Sequence, residues 1–221
     1  MTVTPESVRE LLGSSDFSDR LRAVNLIRQL DPAIAFELIQ TVVEDNNVRV
    51  RYAAVSQVAT LGKEDPQKAL TLLRDRIYRE SEADVQAAAA DAIGALQLTE
   101  AFEDLKKLYE RTSEWLVKFS IVATLGELGD SRGFELLEDA LQSDQELLRM
   151  AAIGSMGELG DTRAIALLIP FATDPDWQLR YRITQALCRF DDAAIRPVLE
   201  KLATDQVSQI AQEAQAKLQA G

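Results

Sequence analysis

The chain has no histidine and a single cysteine, Cys188, in 221 residues. Without imidazole there is no His-dependent triad, no histidine general base and no use of the commonest metal ligand. One thiol cannot form an internal disulfide, which suits a reducing, cytoplasmic setting. Glycine (10) and proline (6) are scarce, and the Ala, Leu, Glu, Gln and Arg that replace them favour helix. No apolar run reaches the ~18 residues of a membrane span. The opening MTVTPESVREL has neither a basic nor an apolar leader region, so no secretory signal is expected. A glycine-rich phosphate loop is missing, since Gly154 and Gly157 fall inside a helical pattern. Glu80, Glu82 and Asp84 lack the alternating ligands and central glycine of a calcium loop. The formal net charge is −12, which repels phosphate backbones and excludes nucleic acid as an expected partner.

What is present is a repeat. Residues 174–191, DPDWQLRYRITQALCRFD, read as a turn and one amphipathic helix. Asp174 and Asp176 supply caps, Pro175 sits in the turn, and Leu179, Ile183, Ala186, Leu187 and Phe190 form one apolar face. Thirty-one residues earlier stands LRMAAI (148–153), and thirty-one before that VKFSIV (117–122). The polar anchors of these units are Arg20, Arg51, Gln86, Lys118, Arg149, Arg180 and Gln209, separated by 31, 35, 32, 31, 31 and 29 residues. A period in this range marks a solenoid. Three residues after the anchor the side chains are mostly small (Ala23, Ala54, Ala89, Ala152), as close helix packing requires. LGELGD (125–130) and MGELGD (156–161) place Gly129 and Gly160 as helix stops, with Asp130 and Asp161 as caps of the next helix.

Each repeat is therefore expected to be a helical hairpin, in an all-α right-handed superhelix of about seven units without β-sheet. The predicted units lie near 1–31, 32–62, 63–97, 98–130, 131–161, 162–191 and 192–221, within a single repeat domain. First helices are predicted near 5–12, 33–44, 66–79, 99–111, 131–142, 162–173 and 193–204. Second helices are predicted near 18–30, 47–61, 83–96, 114–128, 145–159, 176–190 and 206–219. The polar last helix reads as a wettable terminal cap, and the run Ala87 to Ala90 as a site of close approach.

The "VR…A…LG.LGD" unit ends, DPDWQLRYR (174–182) and the parallel EWLVKF (114–119) resemble the HEAT-like repeats of the bilin lyase class. Within it, the chain is most similar to the phycobilisome-degradation proteins of cyanobacteria (the NblB type). The resemblance covers nearly the whole chain. It implies a HEAT-like α-solenoid whose second helices line the concave surface. It also implies partnership with phycobiliproteins or their linear tetrapyrroles (bilins), and with other degradation factors, with no tightly bound cofactor and no metal.

On those second helices Trp115 and Trp177 precede the anchor by three, and Tyr52, Phe119, Met150 and Tyr181 follow it by one. Arg51, Lys118, Arg149, Arg180 and Arg182 add positive charge. Aromatic faces stack on conjugated ligands and arginine forks hold carboxylates. The expected binding set is Trp115, Lys118, Phe119, Arg149, Trp177, Arg180, Tyr181 and Arg182. Against it stands a packing role: an anchor arginine can bond the preceding turn or a neighbouring aspartate, and the aromatics can fill the space between repeats.

Cys188 tempts a thioether-transfer reading, but Ala59, Gly94, Gly126 and Gly157 occupy the same repeat position, so the slot asks for small volume. Asp130/Asp161 and Glu127/Glu158 recur at the repeat spacing and read as capping or surface groups, leaving no assigned catalytic residue. Three roles remain open: a factor that promotes chromophore detachment and phycobilisome breakdown, a bilin lyase acting at the thioether, and a non-catalytic scaffold.

Overall fold

A computed structural model describes residues 3–220; residues 1, 2 and 221, the outer edges of the first and last predicted units, lie outside the described residues. The described residues form fourteen α-helices and contain no strand. The first helices of the hairpins are α1 (Pro5–Leu12), α3 (Pro32–Gln40), α5 (Pro66–Arg79), α7 (Phe102–Arg111), α9 (Phe134–Leu141), α11 (Arg163–Leu168) and α13 (Arg196–Leu202). The second helices are α2 (Phe17–Ile27), α4 (Val48–Leu61), α6 (Ala83–Ala95), α8 (Trp115–Leu128), α10 (Glu146–Leu159), α12 (Trp177–Leu187) and α14 (Ser208–Ala220). No helix among the described residues is long and apolar enough to cross a membrane. The chain gathers into two compact units, one ending at Thr124 and one beginning at Leu125.

Local chemistry sets the helix starts. Asp16, Asp31, Asn47, Asp65 and Asp176 each accept a backbone N–H of the first turn, filling orphan donors. Pro5, Pro32 and Pro66 open α1, α3 and α5, where no N–H is needed. Later first helices begin less regularly than predicted. Residues 99–101, 131–133 and 193–195 form 3₁₀ turns before α7, α9 and α13. The predicted helix 162–173 ends at Leu168 and continues as a 3₁₀ segment, Ile169–Thr173, because Pro170 cannot donate to the ladder. Gly129 (φ 63°) and Gly160 (φ 68°) stop α8 and α10 in the left-handed conformation. The third repeat makes the same turn with Gln97 (φ 54°), a conformation that costs a non-glycine residue roughly 1 kcal/mol.

In the first unit, α4 packs against both α2 and α6, while α1, α3 and α5 back their own partners. Val24, Ile27, Ile39, Val55, Val58, Leu73, Ile77, Ile93, Leu105 and Leu108 fill the space between the layers. The alanine run is buried throughout, and Thr124 of α8 donates its hydroxyl to the Ala90 carbonyl at 2.9 Å. In the second unit α12 packs between α10 and α14. Its predicted apolar face, Leu179, Ile183, Ala186, Leu187 and Phe190, is wholly buried. Close approach explains the glycines: a Cβ on Gly126 would sit 2.8 Å from the Ser155 backbone, and one on Gly157 2.9 Å from the Ala186 backbone.

Candidate binding face

The second helices carry the predicted site, and their anchors come first. Arg20 holds Asp45 through a fork of 2.6 and 3.0 Å, and Arg51 holds Glu80 at 2.8 and 2.9 Å. Arg180 holds Asp205 at 2.8 and 3.0 Å. The remaining guanidinium nitrogen of each turns back to its own hairpin. It donates to the Ser14 and Ser15 carbonyls from Arg20, to Asp45 and Asn46 from Arg51, and to Asp174 and Pro175 from Arg180. Each arginine thus ties the loop inside one hairpin to the corresponding loop of the next. The Arg180 fork holds Asp205 below the usual carboxylate range, and the Arg20 fork does the same for Asp45. Burial alone would raise Glu80, but the Arg51 fork and the amides of Ser81 and Glu82 more than offset it, so its pKa is also lowered.

Arg180 is therefore engaged on every side by the protein itself, which is the packing alternative open to an anchor. The two other basic anchors are not engaged in this way. Lys118 lies over the Tyr109 ring at 4.5 Å. Arg149 donates only to the Ser143 carbonyl at 2.8 Å, with no ion-pair partner among the described residues. In the sequence, the acidic partner stands 25 to 29 residues after its arginine. That recurrence is the signal that could have identified Asp45, Glu80 and Asp205, which the repeat alignment alone did not single out.

The predicted aromatics divide by burial. Trp115 and Trp177 are each 44% exposed, whereas Phe119 and Tyr181 are half-buried. Trp115, Lys118 and Phe119 belong to the first unit; Arg149, Trp177, Arg180, Tyr181 and Arg182 belong to the second. Within the second unit, Trp177 and Tyr181 are one turn apart on α12, so they share a face. Arg182 is exposed, makes no ion pair among the described residues, and reaches across to α10. Its guanidinium lies 3.9 Å from where a Cβ on Gly154 would be. Beside it, Gly154, Glu158, Arg182, Gln185, Cys188 and Glu213 help line a cleft of about 320 Å³. The absent side chain at Gly154 makes the room.

Cys188 faces this cleft at the α12–α14 contact, with its sulfur 3.9 Å from the Glu213 carbonyl oxygen. Burial, then the nearby Glu213 charge, push its thiol up to about 11. It is a protonated packing residue near neutrality, not a poised thiolate. The recurring acids are equally committed. Asp130 caps the amide of Arg132 and holds its guanidinium, and Asp161 does the same with Arg163. Both carboxylates lie below their usual range because of those arginines. The described residues thus supply exposed aromatic and basic contact groups, and no acid–base pair is assembled among them.

The comparisons agree with this architecture. HEAT repeats match residues 5–94, 73–155 and 143–219. No curated protein matches the sequence significantly. Among solved structures, the YibA protein of E. coli is similar at TM-score 0.73 and 18% identity, over 98% of this chain and 81% of that one. The complex of CpcE and CpcF of phycocyanin lyase from Nostoc sp. PCC7120 is similar at TM-score 0.64 and 19% identity, over 100% and 95%. The archaeal HEAT-like repeats protein from Thermococcus onnurineus NA1 is similar at TM-score 0.58 and 15% identity, over 98% and 96%. Likeness at such low identity speaks to fold. With matches that run from residue 5 to residue 219, the chain belongs to the family of HEAT-repeat proteins.

Proposed function

We propose that this HEAT-repeat chain is a phycobiliprotein-interacting factor that engages a linear tetrapyrrole and promotes chromophore detachment during phycobilisome breakdown. The observation that carries the proposal is helix α12: an exposed Trp177 and a half-buried Tyr181 one turn apart on one face and, further round toward α10, an Arg182 over Gly154 that makes no ion pair among the described residues. An exposed aromatic face and an uncommitted guanidinium on one helix suit a flat conjugated ligand with propionate tails. In this reading Arg182 and Arg149 are the carboxylate-binding groups and Arg180 holds the backbone under them. Trp115, Lys118 and Phe119 offer the first unit's counterpart contacts. The likeness to the CpcE–CpcF structure is one of fold, and it supports a bilin-related or repeat-scaffold role.

A scaffold without turnover is the second reading. It is favoured by the protonated Cys188 thiol and by acids already committed to arginines. An absorption titration separates the two. Free bilin should shift to the red on binding, and a holo-phycobiliprotein should lose its bound-chromophore band if detachment occurs. Trp177→Ala should weaken bilin binding by about 1–3 kcal/mol and Arg182→Ala should weaken it several-fold, neither with a lowered melting temperature. Wild-type affinity in both folded variants would reject the bilin-binding face.

A further inference from the structure

We infer that the first unit carries a separate receptor pocket for an arginine or lysine side chain presented by a basic segment of a partner protein. This inference is independent of the bilin reading, whose carrying observation is helix α12 of the second unit and which uses none of this pocket's lining residues.

The pocket follows from one departure in the repeat. The position after the anchor carries Tyr52 on α4, Phe119 on α8, Met150 on α10 and Tyr181 on α12, but on α6 it is Ala87. The missing side chain leaves a cavity of about 270 Å³ lined by Tyr52, Asp84, Ala87, Ala88, Asp91, Leu116 and Ser120. Ala87 and Ala88 are themselves buried, at 4% and 5% exposure. They form the floor between Tyr52 of α4 and Leu116 and Ser120 of α8. Asp84 and Asp91 stand two turns apart on the same α6 face, about 10 Å along the axis, one toward each end of the cavity. Cavities that accept whole small molecules measure roughly 300–1,000 Å³, so this one is sized for a single long side chain.

The lining chemistry selects the charge of that side chain. No basic residue pairs with Asp84 or Asp91 among the described residues, in contrast to Asp45, Glu80 and Asp205, each held by an arginine. Asp91 keeps contact with solvent, yet the atoms around it desolvate the carboxylate and raise its pKa, with only a Ser120 hydrogen bond acting the other way. A cation at this position would supply the missing counter-charge. Tyr52 is 48% exposed and lines the cavity, which makes its ring available to a guanidinium or ammonium, with Ala87 and Ala88 to accept the aliphatic stem. The net charge of −12 draws a basic segment toward the chain from a distance, and the pocket gives it a register.

The test is fluorescence anisotropy of a labelled glycine–arginine octapeptide, with a glycine–glutamate octapeptide as the opposite-charge control, at low and at physiological salt. The arginine peptide should bind saturably and the glutamate peptide should not. Asp91→Asn and Tyr52→Ala should each weaken binding at least five-fold with unchanged melting temperature and unchanged bilin titration. Ala87→Phe, which restores an aromatic side chain at this repeat position without altering charge, should abolish binding. Glu138→Gln, at an exposed acid of the second unit, should leave it unchanged. Equal weakening by Glu138→Gln and Asp91→Asn would show diffuse attraction to an acidic protein and overturn the pocket. So would wild-type binding in both Asp91→Asn and Tyr52→Ala, which decide the matter if Ala87→Phe proves unstable.

Discussion

At the scale of single residues, the most consequential fact about Cys188 is its place in a slot that holds alanine or glycine in the second to fifth repeats. Consecutive second helices nearly touch at Gly126 and Gly157, so small volume is what the slot asks for. Cys188→Ala should leave any pigment binding within about two-fold, and Cys188→Leu should destabilise by ~1–3 kcal/mol through overpacking. The thiol itself gives a pH test. An ordinary cysteine ionises near ~8.5, whereas the folded thiol stays protonated up to about 11. Between those values the unfolded chain has lost a proton that the folded chain retains, so stability falls as pH rises through that window. Alkylation of the native protein at pH 8 should be much slower than alkylation of the denatured chain. Equal rates would show that the thiol is not desolvated. Loss of bilin handling in a folded Cys188→Ala protein would return the sulfur to the mechanism.

At the scale of the helix, the close crossing of α10 and α12 at Gly157 and Ala186 is the tightest test of packing. Gly157→Val sets a branched side chain against the Ala186 backbone and should cost roughly 1–3 kcal/mol, read as a lower denaturant midpoint at unchanged slope. An unchanged midpoint would mean that the helices can part without penalty. How far elements could be read from sequence follows the same local physics. Helix α12 was legible to within a few residues because its cap, its apolar stripe and its stop are all short-range signals. The 3₁₀ starts of α7, α9 and α13 were not, since a cap only marks where a helix region begins and not how tightly its first turn winds. The roles of the anchor arginines were open for a different reason. Asp205 lies 25 residues beyond Arg180, and only the stacking of one hairpin on the next decides that they meet. Trp177 and Arg182 could be nominated from sequence. That Arg182 reaches over Gly154 could not, because Gly154 stands on another helix.

At the scale of the whole molecule, acidity and the arginine clasps act in opposite directions on acidification. From pH 7 toward the isoelectric point near 4.6, self-repulsion among carboxylates declines and the melting temperature should hold or rise. The clasped Asp45, Glu80 and Asp205 have lowered pKa values when folded, so their contribution is complete above the ordinary carboxylate pKa of about 4 and is lost as pH falls further. Calorimetry should show a steep decline only below about pH 4, blunted in Asp205→Asn; a decline beginning at pH 7 would contradict this balance. The distribution of clasps also sets a sequence of events in time. In the second unit Arg180 locks α12 to the loop before α14, while Arg149 at the head of α10 grips no carboxylate. A linear array opens where a neighbour-to-neighbour tie is weakest. Amide hydrogens in the first turns of α10 should therefore exchange with solvent deuterium sooner than those of α12, and Arg180→Gln should erase the difference. Between α10 and α12, the lock missing at Arg149 would then act as the hinge that first breathes.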